Sequence, residues 1–188
     1  MSVEEMNDLH IYHHGILGQK WGVRRYQNPD GSLTSAGRLR YEDSNRRQVK
    51  AINSIYRHVD SQGRRYVTNS YKAPKKFTNN KEHEQYALKS FIAYDKKRPV
   101  SVMTAWKQGD NEAAISVMTR KDYQGKGYGS KVVKEGMKWL ESSGVKDVVW
   151  EANTNNRASI EMAIRNGFAF VKTIDSSVAY EKQLRHRG

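Results

Sequence analysis

The chain has 188 residues and no cysteine, so we expect one hydrophobic core, and both disulfides and cysteine-rich zinc sites are excluded. The formal net charge is +13, yet residues 1–60 hold nine bases against seven acids and the other bases are dispersed, which favours a solvated surface over a nucleic-acid groove. The first residues carry acids where a secretory signal carries bases, and no apolar run is long enough to span a bilayer, so we expect a soluble protein that is not secreted.

The first forty residues are poor in apolar side chains and contain a strong turn signal, the sequence NPDG. Thr34 or Ser35 is a suitable N-cap for the helix that follows. Helical spacing continues through residues 46–59, and it places four apolar side chains on the inward side, namely Val49, Ile52, Ile55 and Tyr56. Residues 61–82 have no clear period, and we predict one edge strand at 65–70 followed by a loop.

Three β-strands are predicted next, at residues 86–94, 99–107 and 113–119, because β-branched and aromatic residues alternate there with polar ones. The short turns DKKRP and QGDNE connect them, which indicates an antiparallel meander. Three tryptophans in strand or helix patterns are better explained as core residues than as a stacking platform, namely Trp106, Trp139 and Trp150.

Helices and strands alternate in the last third of the chain. The spacing predicts a helix over 130–144, a buried strand over 145–152, a second helix over 155–167 and final strands over 168–174 and 177–184. The complete order predicts a mixed α/β (α+β) fold.

A glycine-rich stretch joins the third strand to the first of these helices and contains Gly125, Gly127 and Gly129. A helix N-terminus offers unpaired backbone N–H groups and a favourable dipole, so a phosphate is its natural ligand. Glycine lets the backbone approach that ligand, and Lys126 and Lys131 add positive charge. A tight strand-to-helix turn needs glycine in any case, so the local motif is equally consistent with a plain turn.

The wider context resembles the GNAT-type N-acetyltransferases. Their pyrophosphate-binding loop has Gln or Arg, two residues, Gly, one residue, then Gly or Ala, and Gln124, Gly127 and Gly129 match this pattern. Residues 155–168 are similar to a later helix of the family, in which an Asn is followed three residues on by a small residue, here Asn156 and Ser159. The resemblance covers about residues 45–185.

This resemblance implies a GNAT fold, with a mixed, mostly antiparallel sheet, flanking helices and a splay between strands 4 and 5 of the family. It also implies acetyl-CoA as cofactor, with the pantetheine paired to the backbone of Val117, Met118 and Thr119. The pyrophosphate would lie on the loop that follows Gln124, formed by Gly125, Lys126, Gly127, Tyr128, Gly129 and Ser130. Asn156 and Ser159 would contact the cofactor arm.

Acetyl transfer to an amine needs a base, and Glu151 lies where some relatives of the family keep theirs. The alternative is a carboxylate at a strand end that is solvated or paired with a lysine. The tyrosine that many relatives use as acid is replaced by Ala163, so a water or another tyrosine such as Tyr180 would have to substitute. His83 and Tyr86 border the acceptor region of relatives, although we expect them to be ordinary surface and edge residues.

Residues 12–41 stand apart from the acetyltransferase pattern, because they contain His-Gly, Gly-Gln-Lys-Trp-Gly and Asn-Pro-Asp-Gly-Ser-Leu-Thr. The segment resembles a module of structural and head-associated proteins of tailed phages. This implies a phage or prophage origin, a location in the host bacterial cytoplasm or on the virion, and binding to a virion protein through Trp21, Arg24 and Arg25. A metal site at His10, His13 and His14 is disfavoured, because no fourth ligand is evident.

We therefore expect a phage-type module at residues 1–42 and an N-acetyltransferase domain at 43–188. The expected activity is transfer of acetyl from acetyl-CoA to a primary amine of a protein or small molecule. The alternative is a structural or interaction protein that keeps the fold without turnover. Relatives often pair through late strands, so a homodimer is a further expectation.

Overall fold

The computed structural model describes residues 28, 32 and 34–184. The chain divides into two units between Asp43 and Ser44, and the whole β-sheet belongs to the second. Most of the predicted phage-type module at residues 12–41, with its tryptophan, arginine and histidine candidates, lies outside the described residues. Within the first unit, Thr34 Oγ1 accepts a hydrogen bond from Gly37 N at 3.1 Å, which confirms Thr34 as a capping residue.

The described chain has five α-helices and six β-strands. The helices are α1 (Ser35–Tyr56), α2 (Ser61–Ser70), α3 (Asn80–Tyr86), α4 (Tyr128–Ser142) and α5 (Arg157–Arg165). The strands are β1 (Ala87–Asp95), β2 (Arg98–Lys107), β3 (Glu112–Thr119), β4 (Asp147–Asn153), β5 (Ala169–Ile174) and β6 (Ser177–Gln183). Every strand and helix predicted after residue 85 is therefore confirmed, with small differences at the ends.

The six strands form one sheet in the order β1-β2-β3-β4-β6-β5. The β3–β4 pair is parallel, and the other four neighbouring pairs are antiparallel. This is the mixed, mostly antiparallel sheet that the family resemblance implies. The parallel pair arises because α4 carries the chain back across the sheet between its two strands.

Helices pack on both faces of the sheet, but all residues of the edge strand β5 are exposed. On one face the packed side chains of α4, β3 and β4 include Val132, Leu140, Ile115 and Trp150, all at most 2% exposed. On the other face the buried side chains come from α1, α2, the segment before α3, and β2, and include Ile52, Ile55, Val67, Phe77 and Trp106. Trp106 and Trp150 are thus core residues, as predicted.

The predicted strand at residues 65–70 is wrong, because these residues belong to α2. Asp60 caps this helix, since its carboxylate accepts a hydrogen bond from Gly63 N at 2.7 Å. Val67 is buried at 2% exposure, while most of the helix faces solvent. The sequence Tyr-Val-Thr favours a strand locally, but the Asp60 cap and the burial of Val67 favour the helix.

Helix α3 is absent from the sequence prediction, and it buries His83, which is 2% exposed and so is no surface residue. Asn79 caps it by accepting a hydrogen bond from Glu82 N at 3.0 Å. The Glu82 carboxylate in turn accepts hydrogen bonds from the backbone N–H and the hydroxyl of Thr78. This reciprocal pattern is a variant of the capping box, and it is the sequence signal that would have identified the helix.

Candidate functional site

Strands β3 and β4 separate part-way along their length. Their parallel pairing runs from Glu112↔Asp147 to Ile115↔Trp150 and stops there. Strand β3 stays paired with β2 as far as Thr119, and β4 stays paired with β6 as far as Asn153. The backbone of residues 116–119 consequently has a partner strand on one side only, which confirms the splay that the family resemblance implies.

A cavity of about 910 Å³ opens at this separation. Its walls come from the free part of β3, the glycine turn and the start of α4 on one side, and from the end of β4 and α5 on the other. The start of α2 and the β5–β6 turn complete it, through Asp60, Gln62, Gly63, Arg65, Ser176 and Ser177. All of these elements lie in the second unit of the chain.

The glycine turn between β3 and α4 requires left-handed backbone at two positions. Gly125 has φ 74° and Gly127 has φ 81°, a region that residues with a Cβ rarely adopt. A Cβ at either position would meet no protein atom within 4 Å, so conformation rather than crowding by the protein requires these glycines. Gly127 is the N-cap of α4 and its carbonyl accepts from Lys131 N at 3.0 Å. The first backbone N–H groups of α4 therefore have no acceptor within the helix and lie at the wall of the cavity.

Gly129 has a packing role that the sequence did not suggest. It is buried inside the first turn of α4, and a Cβ there would lie 3.2 Å from Met162 Cε and 3.4 Å from Thr119 Oγ1. The glycine thus allows α4 to lie close to α5 and β3. Contact of its backbone with a phosphate stays a prediction.

The structure gathers the predicted cofactor residues around one cavity, with a single exception. The residues that line it are Val117, Met118, Thr119, Gln124, Gly125, Gly127, Tyr128, Gly129, Ser130, Asn156 and Ser159. Lys126 is not in the wall, because its Nζ donates to the Asp122 carbonyl at 2.9 Å and lies 5.0 Å from the centre of the Tyr123 ring.

Asn156 and Ser159 are also part of the local structure of α5. Asn156 is the N-cap, and its Oδ1 accepts from Ser159 N at 3.2 Å. Ser159 Oγ accepts from Trp150 Nε1 at 2.9 Å, which ties α5 to β4. The two residues therefore fix the wall opposite β3, in addition to facing the cavity.

Glu151 lies on β4 one residue beyond the last pairing with β3, and it is half-buried in the cavity wall. Side chains alternate along a strand, so Glu151 shares the face of Val149, which packs against the core under α1–α3. The start of α2 borders the same cavity, with Asp60 and Arg65. Sequence reasoning missed these α2 residues because it assigned a strand there; the Asp60 cap, three residues before Gly63, was the available signal.

The other candidates for acid or acceptor contacts lie away from the cavity wall. Ala163 is fully buried in the core, and Tyr180 is 7% exposed with its ring 5.9 Å from that of Phe170. His83 is held inside the core, where its Nε2 lies 2.9 Å from Ser90 Oγ, and burial lowers its pKa to about 4. Neither Tyr180 nor His83 reaches the site in this structure.

Two further observations on the described residues concern metal binding and membrane spanning. Among residues 34–184, no group of three or more His, Asp or Glu side chains is arranged to hold a metal ion. No helix in that part of the chain has the length and apolar character needed to cross a membrane.

Comparison with known proteins identifies the fold. Residues 52–168 match the model of the acetyltransferase (GNAT) family. The PaiA N-acetyltransferase from Thermoplasma acidophilum, solved in complex with coenzyme A, is 14% identical with a TM-score of 0.59, over 73% of this chain and 93% of that one. The GNAT domain of PAT from S. lividans is 16% identical with a TM-score of 0.58, and the match covers 72% of this chain and 85% of that domain's chain. An N-acetyltransferase from Staphylococcus aureus Mu50 is 15% identical with a TM-score of 0.55, and the match covers 74% of this chain and 94% of that one.

No curated protein sequence matches the chain. The likeness to the solved structures, at these low identities, concerns the fold. The family model covers more than half of the chain, from α1 to the residue that precedes β5. The chain therefore belongs to the acetyltransferase (GNAT) family.

Proposed function

We propose that this protein is an N-acetyltransferase that moves an acetyl group from acetyl-CoA to a primary amine of a protein or small molecule. The observation that carries the proposal is the continuity of the site. The open edge of β3 at residues 116–119 is followed, after one turn of 3₁₀ helix at Lys121–Tyr123, by the left-handed turn at Gly125 and Gly127 and then by the N-terminus of α4.

The residues present fit acetyl-CoA in both shape and charge. A pyrophosphate is matched by the unpaired N–H groups at the start of α4, where the helix dipole also favours negative charge. The free edge of β3 spans roughly 10 Å at about 3.3 Å per residue, and it offers backbone groups to an extended amide chain such as pantetheine. The cavity of about 910 Å³ is large enough for a sizeable ligand. Acetyl-CoA, when bound, supplies an activated acetyl thioester.

Glu151 is the base in this proposal. Its carboxylate lines the cavity beside the point where β3 and β4 separate, on the face that α2 also borders. An amine entering on that face would give up its proton to the carboxylate as the amide forms. The acceptor itself stays open between a polyamine, an antibiotic, a protein N-terminus and a lysine side chain.

Binding of acetyl-CoA tests the first half of the proposal. Calorimetric and thermal-melting titrations compare the wild type with Gly127→Glu, which places a side chain and a negative charge in the glycine turn. Gly144→Glu is the matched control, because Gly144 also has a positive φ, of 83°, and open space around it, but lies after the opposite end of α4. We expect saturable binding and a rising melting temperature in the wild type and the control, and neither in Gly127→Glu. An equal shift in all three proteins would contradict the assignment of the turn.

Turnover tests the second half. A panel of amines is screened for release of coenzyme A, and Glu151→Gln is then compared with the wild type on any amine that reacts. We expect kcat to fall by about 10²- to 10⁴-fold while acetyl-CoA binding is retained. An unchanged rate would mean that Glu151 is not the base.

Ala163 favours a second candidate function, an interaction protein without turnover. This alternative predicts binding of acetyl-CoA but no coenzyme A release with any amine. The resemblance of residues 12–41 to phage modules supports a phage- or prophage-encoded protein in the bacterial cytoplasm or on the virion. Retention of a purified virion protein by the full chain, lost on deletion of residues 12–41, would support that partner. A homodimer through the late strands stays a prediction.

A further inference from the structure

Ser116 is the first residue of β3 beyond its last pairing with β4, and it lines the cavity. No sequence motif described above includes it. A ligand with its phosphates on the glycine turn and its extended arm along Thr119, Met118 and Val117 would reach Ser116 next, because the turn follows the end of the same strand. Ser116 therefore lies towards the end of the cavity at which the two strands separate.

The Ser116 hydroxyl is held by Trp106. The indole N–H of Trp106 donates to Ser116 Oγ at 2.8 Å, and an indole nitrogen can only donate, so Oγ is the acceptor. The hydroxyl hydrogen is not used in this bond, and Ser116 makes no second side-chain hydrogen bond within residues 34–184. Trp106 itself is 1% exposed, and its ring stacks on that of Tyr71 with centres 4.8 Å apart and planes at 7°. Ser116 is thus an oriented donor with a free O–H.

Ser116 and Glu151 share a face of the sheet. Trp106 belongs to the core under α1–α3, so the side chain it contacts points to that face, which is also the face of Glu151. Ile115 and Trp150 are the last paired residues of β3 and β4, and Ser116 and Glu151 follow them. A donor and a carboxylate therefore flank the point of separation from two different strands.

We propose that Ser116 is a catalytic residue whose hydroxyl donates a hydrogen bond to the sulfur that leaves during acetyl transfer. The inference rests on the proposed function. In the transfer, the amine nitrogen bonds to the acetyl carbon, the carbon–sulfur bond breaks and its electron pair stays on sulfur. The amine proton goes to Glu151 and from there to solvent, while Ser116 keeps its proton and stabilises the thiolate. A chain with Ala163 in place of the usual tyrosine then needs no separate acid.

The test uses coenzyme A as the probe, because the thiolate of bound coenzyme A has the charge of the leaving group and no acceptor is needed. The thiol pKa of coenzyme A bound to the full chain is measured from the ultraviolet absorbance of the thiolate. A hydrogen bond to the charged form lowers this pKa. We expect the thiol pKa in Ser116→Ala to be higher than in the wild type by about one to two units.

Two further variants separate this role from a structural one. Ser116→Thr keeps the hydroxyl and is expected to retain the wild-type value. Ser90→Ala removes another buried strand hydroxyl, one that contacts His83 and Thr104 and does not line the cavity, and is expected to change stability but not the thiol pKa.

The outcomes distinguish the two proposals. If coenzyme A binds and its thiol pKa is equal in the wild type and in Ser116→Ala, the Ser116 role is overturned while the cofactor site stands. If Ser90→Ala raises the pKa as much as Ser116→Ala, the effect is structural, and the role is likewise overturned. If the wild type binds no coenzyme A, the proposed function fails, and the role of Ser116 fails with it.

Discussion

The buried His83 makes the stability of this protein depend on pH. The ring lies edge-on to Phe77, with centres 5.0 Å apart, and its Nε2 contacts Ser90 Oγ, which in turn lies 2.8 Å from Thr104 Oγ1. His83 is 2% exposed, and burial lowers its pKa from 6.5 to about 4 because the charged ring would lose its hydration. The folded protein therefore holds a neutral imidazole at neutral pH.

The sign of the effect follows from proton binding. The unfolded chain takes up a proton on this histidine near pH 6.5, whereas the folded chain does so only near pH 4. The free energy of unfolding is unaffected above pH 6.5 and falls as the pH drops between the two pKa values. The full loss is about 3 kcal/mol, at about 1.4 kcal/mol per unit, of which about 2 kcal/mol has occurred at about pH 5.

Urea unfolding followed by tryptophan fluorescence measures this loss. Wild type and His83→Gln are compared at a series of pH values between about 7.5 and 5, a range in which most carboxylates stay ionised. We expect the difference between the two free energies of unfolding to change by about 2 kcal/mol across the series, because only the wild type loses the His83 contribution. His83→Leu repeats the comparison in case Gln perturbs the fold. A difference that stays constant with pH in both variants would refute the argument from burial.

Two other substitutions test the packing of the sheet and helices. Gly136→Ala should lower the free energy of unfolding in urea by about 1–3 kcal/mol, because its Cβ would lie 2.1 Å from Met103 Sδ in a fully buried contact between α4 and β2. Gly109→Ala is the control and should leave this free energy nearly unchanged, because no atom lies nearer than 3.9 Å to the added Cβ. Asn53 Nδ2 donates a hydrogen bond to the Phe77 carbonyl at 2.8 Å, and Asn53 Oδ1 accepts one from Phe77 N at 3.0 Å. Asn53→Ala should therefore lower the free energy of unfolding by about 1–3 kcal/mol and make the segment before α3 more susceptible to proteases. Equal stability of Gly136→Ala and Gly109→Ala, or unchanged proteolysis of Asn53→Ala, would contradict these contacts.

Local sequence patterns predicted the structure correctly where the residue types present favour one backbone conformation. The glycine turn is an example, because Gly125 and Gly127 adopt the left-handed backbone that their residue type favours. The strands from β1 to β6 could be predicted because, in each, apolar and polar residues alternate or the residues are mostly apolar over a length typical of strands. Helices α2 and α3 were not predicted, because the side chains described there show few buried positions, Val67 in α2 and His83 in α3, and both helices are defined by caps more than by periodicity.

The candidate site was predicted only in part, because some of its residues belong to local motifs and others are brought there by tertiary contacts. The residues of the turn and of β3 were found through motif and resemblance, and they do line one cavity. Lys126 was assigned to the phosphate loop through residue type and resemblance, but its side chain donates to the neighbouring Asp122 carbonyl and does not line the cavity. Gly129 lines the cavity, and its close packing between α4, α5 and β3 could not be read from the sequence. Asp60 and Arg65 were missed, since their position at the cavity depends on a helix that the local sequence does not favour.

The sequence by itself determined the order of the elements after residue 85, the glycine turn and the family resemblance, since these depend on patterns that extend over a few neighbouring residues. Only the tertiary structure decided where β3 and β4 part and which side chains meet there. The point of separation depends on pairing between strands that are far apart in the chain, and the hydrogen bond from Trp106 to Ser116 crosses from β2 to β3. Such contacts are fixed by packing of the central strands against the helices on either face of the sheet, and no local period encodes them.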